Sequence, residues 1–337
     1  MIVDMDAGIT DEVDRKLIAM LHQDGRASYA NLGAAVGLTG EAIQQRLNRL
    51  DTTGAVKVVG SVAPGLLGYR SSGLIAVTVS GSAARAAREI ADLDFTDFVV
   101  TTAGGFDLLV EVICRDDDAF ACALDTLREV TGVSGCQTFM YLDVKMYAYG
   151  ETTAPGLGGN HHQQDAAAYQ LDDADKAMIA LLCQDGRASF ADLAAASGIS
   201  YTSARRRALR LLDSGVVRIN TFVDPHVEDK IRAGIGLRIH GPTDSVVSDL
   251  EGFEEVGMVL STTGPHDLII EVTCASKSDL ADLIGRRLRA IPGLSRTETY
   301  NYLTIYKLPF AWGGWAGGNG DSAVLLGEAI GGHTEVG

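Results

Sequence analysis

Apolar residues near the start of the chain recur at the three- and four-residue intervals typical of helices. They predict a first helix over Asp11 to Gln23, which Gly25 ends, and a second from the N-cap Ser28 through Ala35. A third helix is predicted from the cap Thr39 to about Thr53, with Ile43, Leu47 and Leu50 on its buried side. Three short helices with a glycine-containing turn predict a helix-turn-helix module.

The pattern then changes to the alternation typical of strands. Residues 55–59 predict a strand that leads out of the helical module, as a wing or as a hinge to the next domain. From Gly73 onward, segments with strand and helix patterns follow in the order βαββαβ, which predicts a ferredoxin-like domain with both helices on one face of a four-stranded sheet. The uncovered face needs a partner, and a second sheet is the natural one.

The whole arrangement occurs twice. DRKLIAMLHQDGRASYANL, from Asp14 to Leu32, returns as DKAMIALLCQDGRASFADL from Asp175 to Leu193, with 12 of 19 positions identical and an offset of 161 residues. Gly104, Asp107, Glu111 and Cys114 are answered by Gly264, Asp267, Glu271 and Cys274 at an offset of 160. The second strand out of a helical module is predicted at 216–219. The 337-residue chain is therefore an α+β protein made of two diverged copies of one domain pair.

The outer face of each third helix is polar. The 100° step per residue points Glu41, Gln44, Gln45, Asn48 and Arg49 away from the core, and in the second copy Tyr201, Thr202, Arg205, Arg206 and Arg210. Amide and guanidinium groups can bond bidentately to adenine or guanine in a major groove. A solvated face, or a module that binds only protein, fits the same pattern. Residues 39–53 have no net charge and residues 200–214 have a net charge of +3, so the second copy is expected to bind DNA phosphates more strongly.

Other arginines allow more than one interpretation. Arg46 and Arg207 lie at the edge of the apolar stripe, where a structural ion pair is expected rather than base contact. Arg26 and Arg187, in the repeated QDGRAS turn, either reach a phosphate or tie the turn to a neighbouring acid.

Glycine hairpins join the central strands of each ferredoxin-like domain, TTAGGFD at Thr101 to Asp107 and STTGPHD at Ser261 to Asp267. Glycine permits a positive φ or a close approach of the backbone to a ligand, and free N–H groups and hydroxyls suit a carboxylate. A turn that simply needs glycine is the alternative. His266 has no counterpart in the first copy, where Phe106 stands.

Composition narrows the class of protein. A net charge of −16 argues against bulk attachment to nucleic acid or anionic membranes, but screening by salt allows a local basic face. The N-terminus lacks the features of a signal peptide and no apolar run reaches the length of a membrane span. Five cysteines without a CxxC pair favour reduced thiols in a cytoplasmic protein, without a disulfide framework or a zinc site.

Taken jointly, these motifs resemble the Lrp/AsnC family of feast/famine transcriptional regulators. The resemblance is carried by DxxIxxLxxDGRxS from Asp14, by Gly37-Leu38, Arg46, Leu50 and Gly54, and by the Gly-x-x-Asp hairpin, and it covers about residues 11–150 and 172–312. It implies DNA contact through the third helices, which by position falls on Thr39, Gln44, Gln45, Arg49, Ser200, Thr202, Arg205, Arg206 and Arg210. It also implies an amino acid or related effector at the hairpins, on Thr102, Gly104, Gly105, Asp107, Thr263, Gly264, His266 and Asp267.

The chain departs from the family pattern because members usually carry one such unit. A tandem chain can form within itself the dimer that others form between chains, and its target would be an asymmetric site. Unlike residues at Gly105 and Pro265, and at Phe106 and His266, mean that the two effector pockets differ. Two alternatives stay open: a sirohaem decarboxylase of the same architecture, and an effector sensor without DNA binding. Such decarboxylases carry a histidine and tyrosine cluster where this chain has Phe98-Val99-Val100 and Val259-Leu260.

The expected organisation has six segments. Helix-turn-helix domains span 11–60 and 171–221, ferredoxin-like domains span 70–150 and 231–312, a linker spans 151–170 and a glycine-rich tail spans 313–337. The expected protein is not an enzyme and uses no cofactor or metal. Its expected partners are double-stranded DNA, a small effector and further copies of itself, in dimers or tetramers of chains, with no membrane.

Overall fold

The computed structural model describes residues 11–147, 171–223 and 230–307. The predicted linker at 151–170 and the predicted tail at 313–337 lie outside the described residues. Among the helices that are described, none is both long and apolar enough to cross a membrane.

Each copy begins with three helices and a strand. In the first copy these are α1 (Glu12–Gln23), α2 (Tyr29–Val36), α3 (Gly40–Thr52) and β1 (Val56–Ser61). In the second they are α6 (Asp173–Gln184), α7 (Phe190–Ser197), α8 (Tyr201–Asp213) and β6 (Arg218–Val223). Ser28 and Thr39 cap α2 and α3 as predicted, and the stripe of Ile43, Leu47 and Leu50 is buried. Strand β6 begins at Arg218, two residues later than predicted, because Val216 and Val217 pack into the helical core.

The rest of each copy is the predicted ferredoxin-like domain. The first consists of β2 (Ser71–Val79), α4 (Ala83–Ala91), β3 (Thr96–Ala103), β4 (Leu108–Cys114), α5 (Asp117–Glu129) and β5 (Val133–Tyr147). The second consists of β7 (Ile231–Ile239), α9 (Thr243–Leu250), β8 (Val256–Thr262), β9 (Leu268–Cys274), α10 (Lys277–Asp282) and β10 (Leu294–Lys307). Helices cover one face of each sheet and form two separate apolar cores with it. The α+β class is therefore confirmed.

The offset between the copies changes inside the last helix. A π-helical turn, Leu283–Arg287, and a 3₁₀ turn, Leu288–Ala290, follow α10 where the first copy has the regular helix α5. A π turn accommodates one extra residue in a helix. It restores the offset from 160, at Glu111 and Glu271, to 161, at Tyr141 and Tyr302, so the last strands of the two copies occupy equivalent places.

The two four-stranded sheets close on each other as one barrel in the order β10-β3-β4-β2-β5-β8-β9-β7. The last strand of each copy is long enough to take part in both sheets: β5 pairs with β2 and then with β8, while β10 pairs with β7 and then with β3. Closure leaves neither sheet with a free edge, and it buries the sheet faces that the helices do not cover. The predicted sheet-to-sheet packing is thus formed between the copies of a single chain.

The strands that leave the helical modules also pair across the copies. β1 and β6 form an antiparallel two-stranded sheet in a register from Val56 opposite Val223 to Ser61 opposite Arg218. Thr221, on β6 of the second copy, donates its hydroxyl to the Leu21 carbonyl of α1 in the first copy at 2.8 Å. These strands were predicted to act as a wing or as a hinge. The ladder gives them a different role, because it joins the two helical modules to each other.

Candidate functional site

The outer faces of α3 and α8 carry most of the residues predicted to contact DNA. Gln44, Gln45, Arg205 and Arg206 are exposed, as is Thr202. The side chains of α8 also line a surface concavity, formed by Tyr201, Thr202, Arg205, Arg206, Leu209, Arg210 and Asp213. Thr39 and Ser200 cap the two helices, accepting N–H bonds from Ala42 at 3.3 Å and Ser203 at 3.4 Å. The helices are therefore anchored at the ends from which such modules contact bases.

A buried carboxylate holds each of these helices to the first helix of its module. Asp14, fully buried, pairs with Arg46 at 2.9 Å and with Arg49. In the second copy Asp175 pairs with Arg207 at 3.3 Å and with Arg210 at 2.9 Å. A buried charge is tolerated only with such partners.

This arrangement bears on two sequence predictions. Arg46 and Arg207 form the structural ion pairs expected of them, with additional bonds to Asp11 and Asp172. The hydrogen bond from Arg207 lowers the pKa of Asp172. Arg49 and Arg210, predicted to point outward to DNA, each bond to the buried carboxylate through Nη2, and 46% and 52% of their side-chain surfaces stay exposed.

The arginines of the repeated QDGRAS turn bind the opposite helical module. Arg26 donates to the carbonyls of Gly186 and Ala188, the second bond at 2.8 Å. Arg187 donates to the carbonyls of Gly25 and Ala27, the second at 2.7 Å. We call this reciprocal pair the arginine clamp. Neither predicted role, a phosphate contact or a bond to a neighbouring acid, describes it, since the acceptors are backbone carbonyls of the other copy.

Aromatic rings complete the arginine clamp. Arg26 lies over the ring of Phe190 at 5.5 Å and Arg187 over the ring of Tyr29 at 4.8 Å. Such cation–π contacts add to the four hydrogen bonds. Together with the β1–β6 ladder, the arginine clamp fixes the position of one helical module relative to the other.

The two glycine hairpins lie against the last strand of the opposite copy. A Cβ added to Gly104 would come within 2.9 Å of the Thr299 carbonyl of β10, and one added to Gly264 within 3.3 Å of the Thr138 carbonyl of β5. Gly264 also has a φ of +107°. Close approach therefore requires glycine in the first hairpin, and backbone conformation requires it in the second.

Several residues predicted to bind the effector instead hold the hairpins in shape. Asp107 accepts the N–H of Val79 at 2.7 Å and Asp267 that of Ile239 at 2.8 Å. Thr102 donates its hydroxyl to the Phe106 carbonyl at 2.7 Å. The equivalent hydroxyl in the second copy belongs to Thr262, whereas the predicted Thr263 is exposed and its N–H bonds to the Met140 carbonyl. Gly104, Gly105 and Gly264 remain exposed at the tips.

His266 makes the second hairpin chemically unlike the first. Its ring is buried, stacks on Phe139 at 5.5 Å and bonds through Nε2 to the Tyr300 hydroxyl at 2.8 Å. The Glu298 carboxylate lies 3.7 Å from the same nitrogen. Burial lowers the pKa of His266, which favours the neutral imidazole.

The equivalent positions of the first copy are less polar. Phe106 stands for His266, Phe139 for Tyr300 and Gln137 for Glu298. Glu298 reaches both hairpins, because a Cβ on Gly105 would meet its Oε1 at 2.8 Å. The hairpins therefore converge at one end of the barrel, where the second copy supplies the ionisable groups.

Sequence reasoning missed a polar cluster inside the barrel. Glu111 and Glu271 occupy equivalent positions on β4 and β9, and Tyr302 donates its hydroxyl to Glu271 at 3.2 Å. Burial raises the pKa of Glu271 to about 8, with the charge of Glu111 adding to the effect. Burial also raises the pKa of Glu111, against hydrogen bonds with Tyr141 and Asp97. The signal was present, since both glutamates interrupt apolar strands at matching places.

Comparisons with known proteins agree with this architecture. The AsnC-type helix-turn-helix domain model matches residues 11–51 and 171–212, and the Lrp/AsnC ligand binding domain model matches residues 233–310. The HTH-type transcriptional regulator LrpA of Mycobacterium tuberculosis is 32% identical over 141 residues, which cover 40% of this chain and 93% of that protein. An uncharacterised HTH-type transcriptional regulator of Pyrococcus horikoshii is 30% identical over 148 residues, covering 42% and 92%.

Among solved structures, the siroheme decarboxylase NirDL is similar over nearly the whole chain. Its structure in complex with an iron-uroporphyrin III analogue superimposes with a TM-score of 0.56 and 15% sequence identity, covering 93% of this chain and 97% of that one. At this identity the similarity shows a shared fold alone. The two chains therefore share one overall fold along nearly their whole lengths.

Proposed function

Because this chain belongs to the Lrp/AsnC family of transcription regulators, we propose that it binds double-stranded DNA with both helical modules of one chain acting as the intramolecular counterpart of a dimer. The observation that carries the proposal is the reciprocal pairing of the copies, through the arginine clamp, the β1–β6 ladder and the closed barrel. Paired modules hold two recognition helices at a fixed spacing, which is what binding to two half-sites requires.

The DNA contacts we propose are the exposed residues of α3 and α8 with their capping residues. They are Thr39, Gln44, Gln45, Ser200, Thr202, Arg205 and Arg206. Among the ion pairs within the described residues, none involves Arg205 or Arg206. Their charges are available to phosphate or to base edges, so the second copy supplies most of the attraction.

The hairpin end of the barrel is the proposed effector site. Exposed backbone at Gly104, Gly105 and Gly264 is accessible to a small ligand, and Asp107 and Asp267 hold that backbone in place. An amino acid or a related metabolite suits a site with N–H donors beside the Glu298 carboxylate. We further propose that chains associate into dimers or tetramers, and light scattering that gives the mass of a single chain would refute this.

The test of DNA binding is a titration of the full chain against its own upstream DNA and against random duplex at several salt concentrations. Wild type is compared with Arg205→Ala/Arg206→Ala and with the control Arg15→Ala/Lys16→Ala, which removes two exposed charges from α1. We expect selective binding, weakened by the first variant with a shallower salt dependence and retained by the second. Equal affinity for both duplexes at every salt concentration would refute the proposal.

A decarboxylase is the second candidate, favoured by the fold shared with NirDL and by the buried pair of His266 and Tyr300. These two side chains bond to each other inside the barrel, and Phe139 covers the imidazole ring. We therefore keep the non-enzymatic function as the proposal. Titration with iron-uroporphyrin III, followed by Soret absorbance, tests the alternative, and saturable binding that His266→Phe abolishes would support it.

A further inference from the structure

Four positions, spaced i, i+3, i+4 and i+7, run along the outward side of each recognition helix. On α3 they hold Glu41, Gln44, Gln45 and Asn48, and on α8 Thr202, Arg205, Arg206 and Leu209. Residues with this spacing share one side of a helix. The first set contains three carboxamides and one acid, whereas the second contains two guanidinium groups and no acid.

The other arginines of the two helices correspond between the copies. Arg46 and Arg207 pair with Asp11 and Asp172 as well as with the buried carboxylates, and Arg49 and Arg210 pair with those same carboxylates, Asp14 and Asp175. These contacts repeat in both copies, so they do not distinguish them. The difference in recognition chemistry is concentrated at Gln44 and Gln45 against Arg205 and Arg206.

We propose that the two helices read different base pairs, with α3 selecting adenine through Gln44 and Gln45 and α8 selecting guanine through Arg205 and Arg206. Glutamine matches the N6 and N7 atoms of adenine, and arginine matches the O6 and N7 atoms of guanine, each bidentately. The inference rests on the proposed DNA binding. It goes further by assigning the target as a duplex with two unlike half-sites, one rich in adenine contacts and one rich in guanine contacts.

The fixed arrangement of the modules makes the asymmetry effective. Arg26 and Arg187 join the two helical modules through bonds to Ala188 and Ala27 at 2.8 and 2.7 Å, and β1 and β6 pair over six residues each. Since neither module can exchange for an identical partner within the chain, a bound chain presents one helix of each kind. The orientation of the chain on the duplex is then set by the sequence.

The experiment is selection of bound duplexes from a random library by the full-length protein, followed by affinity measurements on the selected site. Three variants accompany wild type: Arg205→Gln/Arg206→Gln, which gives α8 the outer pair of α3; Gln44→Arg/Gln45→Arg, which does the reverse; and Arg205→Lys/Arg206→Lys, which keeps the charge without the fork. Thermal melting confirms that each variant folds, as expected for substitutions at exposed positions.

We expect wild type to select an asymmetric site. The glutamine variant should select adenine in both halves, and the arginine variant guanine in both. The lysine variant should keep the salt dependence while its preference for guanine weakens. Replacing one contacted guanine by adenine should cost wild type roughly 5- to 150-fold in affinity.

Two kinds of failure are distinguishable. Selection of a palindrome by wild type, or of the same site by all variants, would overturn the inference and leave DNA binding intact. Enrichment of no sequence at any salt concentration would refute the proposed function itself, and the inference with it.

Discussion

Removing the arginine clamp should show how much the contacts between the two helical modules contribute to stability and to DNA binding, without changing the residues proposed to contact DNA. Arg26→Ala deletes two charge-assisted hydrogen bonds to carbonyls of the second copy and one contact with Phe190. Such bonds contribute about 1.5–3 kcal/mol each. Because the side chain is half-buried and water can reach the freed carbonyls, we expect a loss of about 2–4 kcal/mol in the free energy of unfolding.

The reciprocal geometry adds a second, sharper expectation. Arg187→Ala should cost the same as Arg26→Ala, since it removes the mirror-image bonds to Gly25 and Ala27. Once either arginine is absent, the two turns move apart and the other loses its acceptors. The double variant should therefore fall short of the sum of the single variants by about 0.5–3 kcal/mol.

Urea unfolding followed by circular dichroism measures these costs, and a DNA titration measures the consequence for binding. Arg15→Ala is the matched control, because it removes an exposed arginine from the same module. The affinity for DNA that carries both half-sites should fall in Arg26→Ala and Arg187→Ala, although α3 and α8 are unchanged. Costs no larger than that of the control, or strictly additive costs, would refute a clamp between the modules.

Three further predictions concern buried groups. Because the pKa of Glu271 is raised to about 8, above its unfolded value, the protein should lose stability as pH rises from about 4.5 to 8, by up to about 1.4 kcal/mol per pH unit. In urea unfolding measured across this pH range, Glu271→Gln should flatten the slope, whereas the control Glu251→Gln, at an exposed site, should not. Gly236→Ala should destabilise the barrel by about 1–3 kcal/mol, since the new Cβ would lie 2.2 Å from the His266 ring; thermal melts should show a smaller cost in a His266→Ala background, and an equal cost would contradict the overlap. Asp175→Ala should cost about 2–4 kcal/mol by leaving its two arginines without their buried partner; a change below 1 kcal/mol in urea unfolding would show that the ion pairs are dispensable.

Local structure was predictable where a residue type acts on its neighbours. The caps Ser28 and Thr39 follow from side-chain chemistry within one helical turn. The ion-pair role of Arg46 was also predictable, because a charge at the edge of an apolar stripe has few other stable positions.

Contacts between the copies were harder to predict, because their acceptors are backbone carbonyls about 160 residues away. Nothing in the composition of QDGRAS indicates that Arg26 binds Ala188. The identity of this turn in both copies was nevertheless a signal, since an arrangement with twofold character requires the same residue on each side. Strand length was another: β5 spans 15 residues where five or six are usual, which indicates a strand shared by two sheets.

The clamp arginines are the same in both copies, whereas the outer positions of the recognition helices have changed. Arg26 and Arg187 each bond to the turn of the other copy, so a change in one would leave the carbonyls that it bonds without their donor. Gln44 and its equivalent Arg205 are exposed and take no part in the hydrogen bonds of the clamp, although Arg205 lies over the Phe190 ring at 5.7 Å. Fusion of two copies in one chain is what permits these two positions to differ, because in a pair of identical chains every substitution on a recognition helix appears twice. The tandem arrangement therefore allows the two helices to acquire different base preferences while both copies keep the clamp arginine.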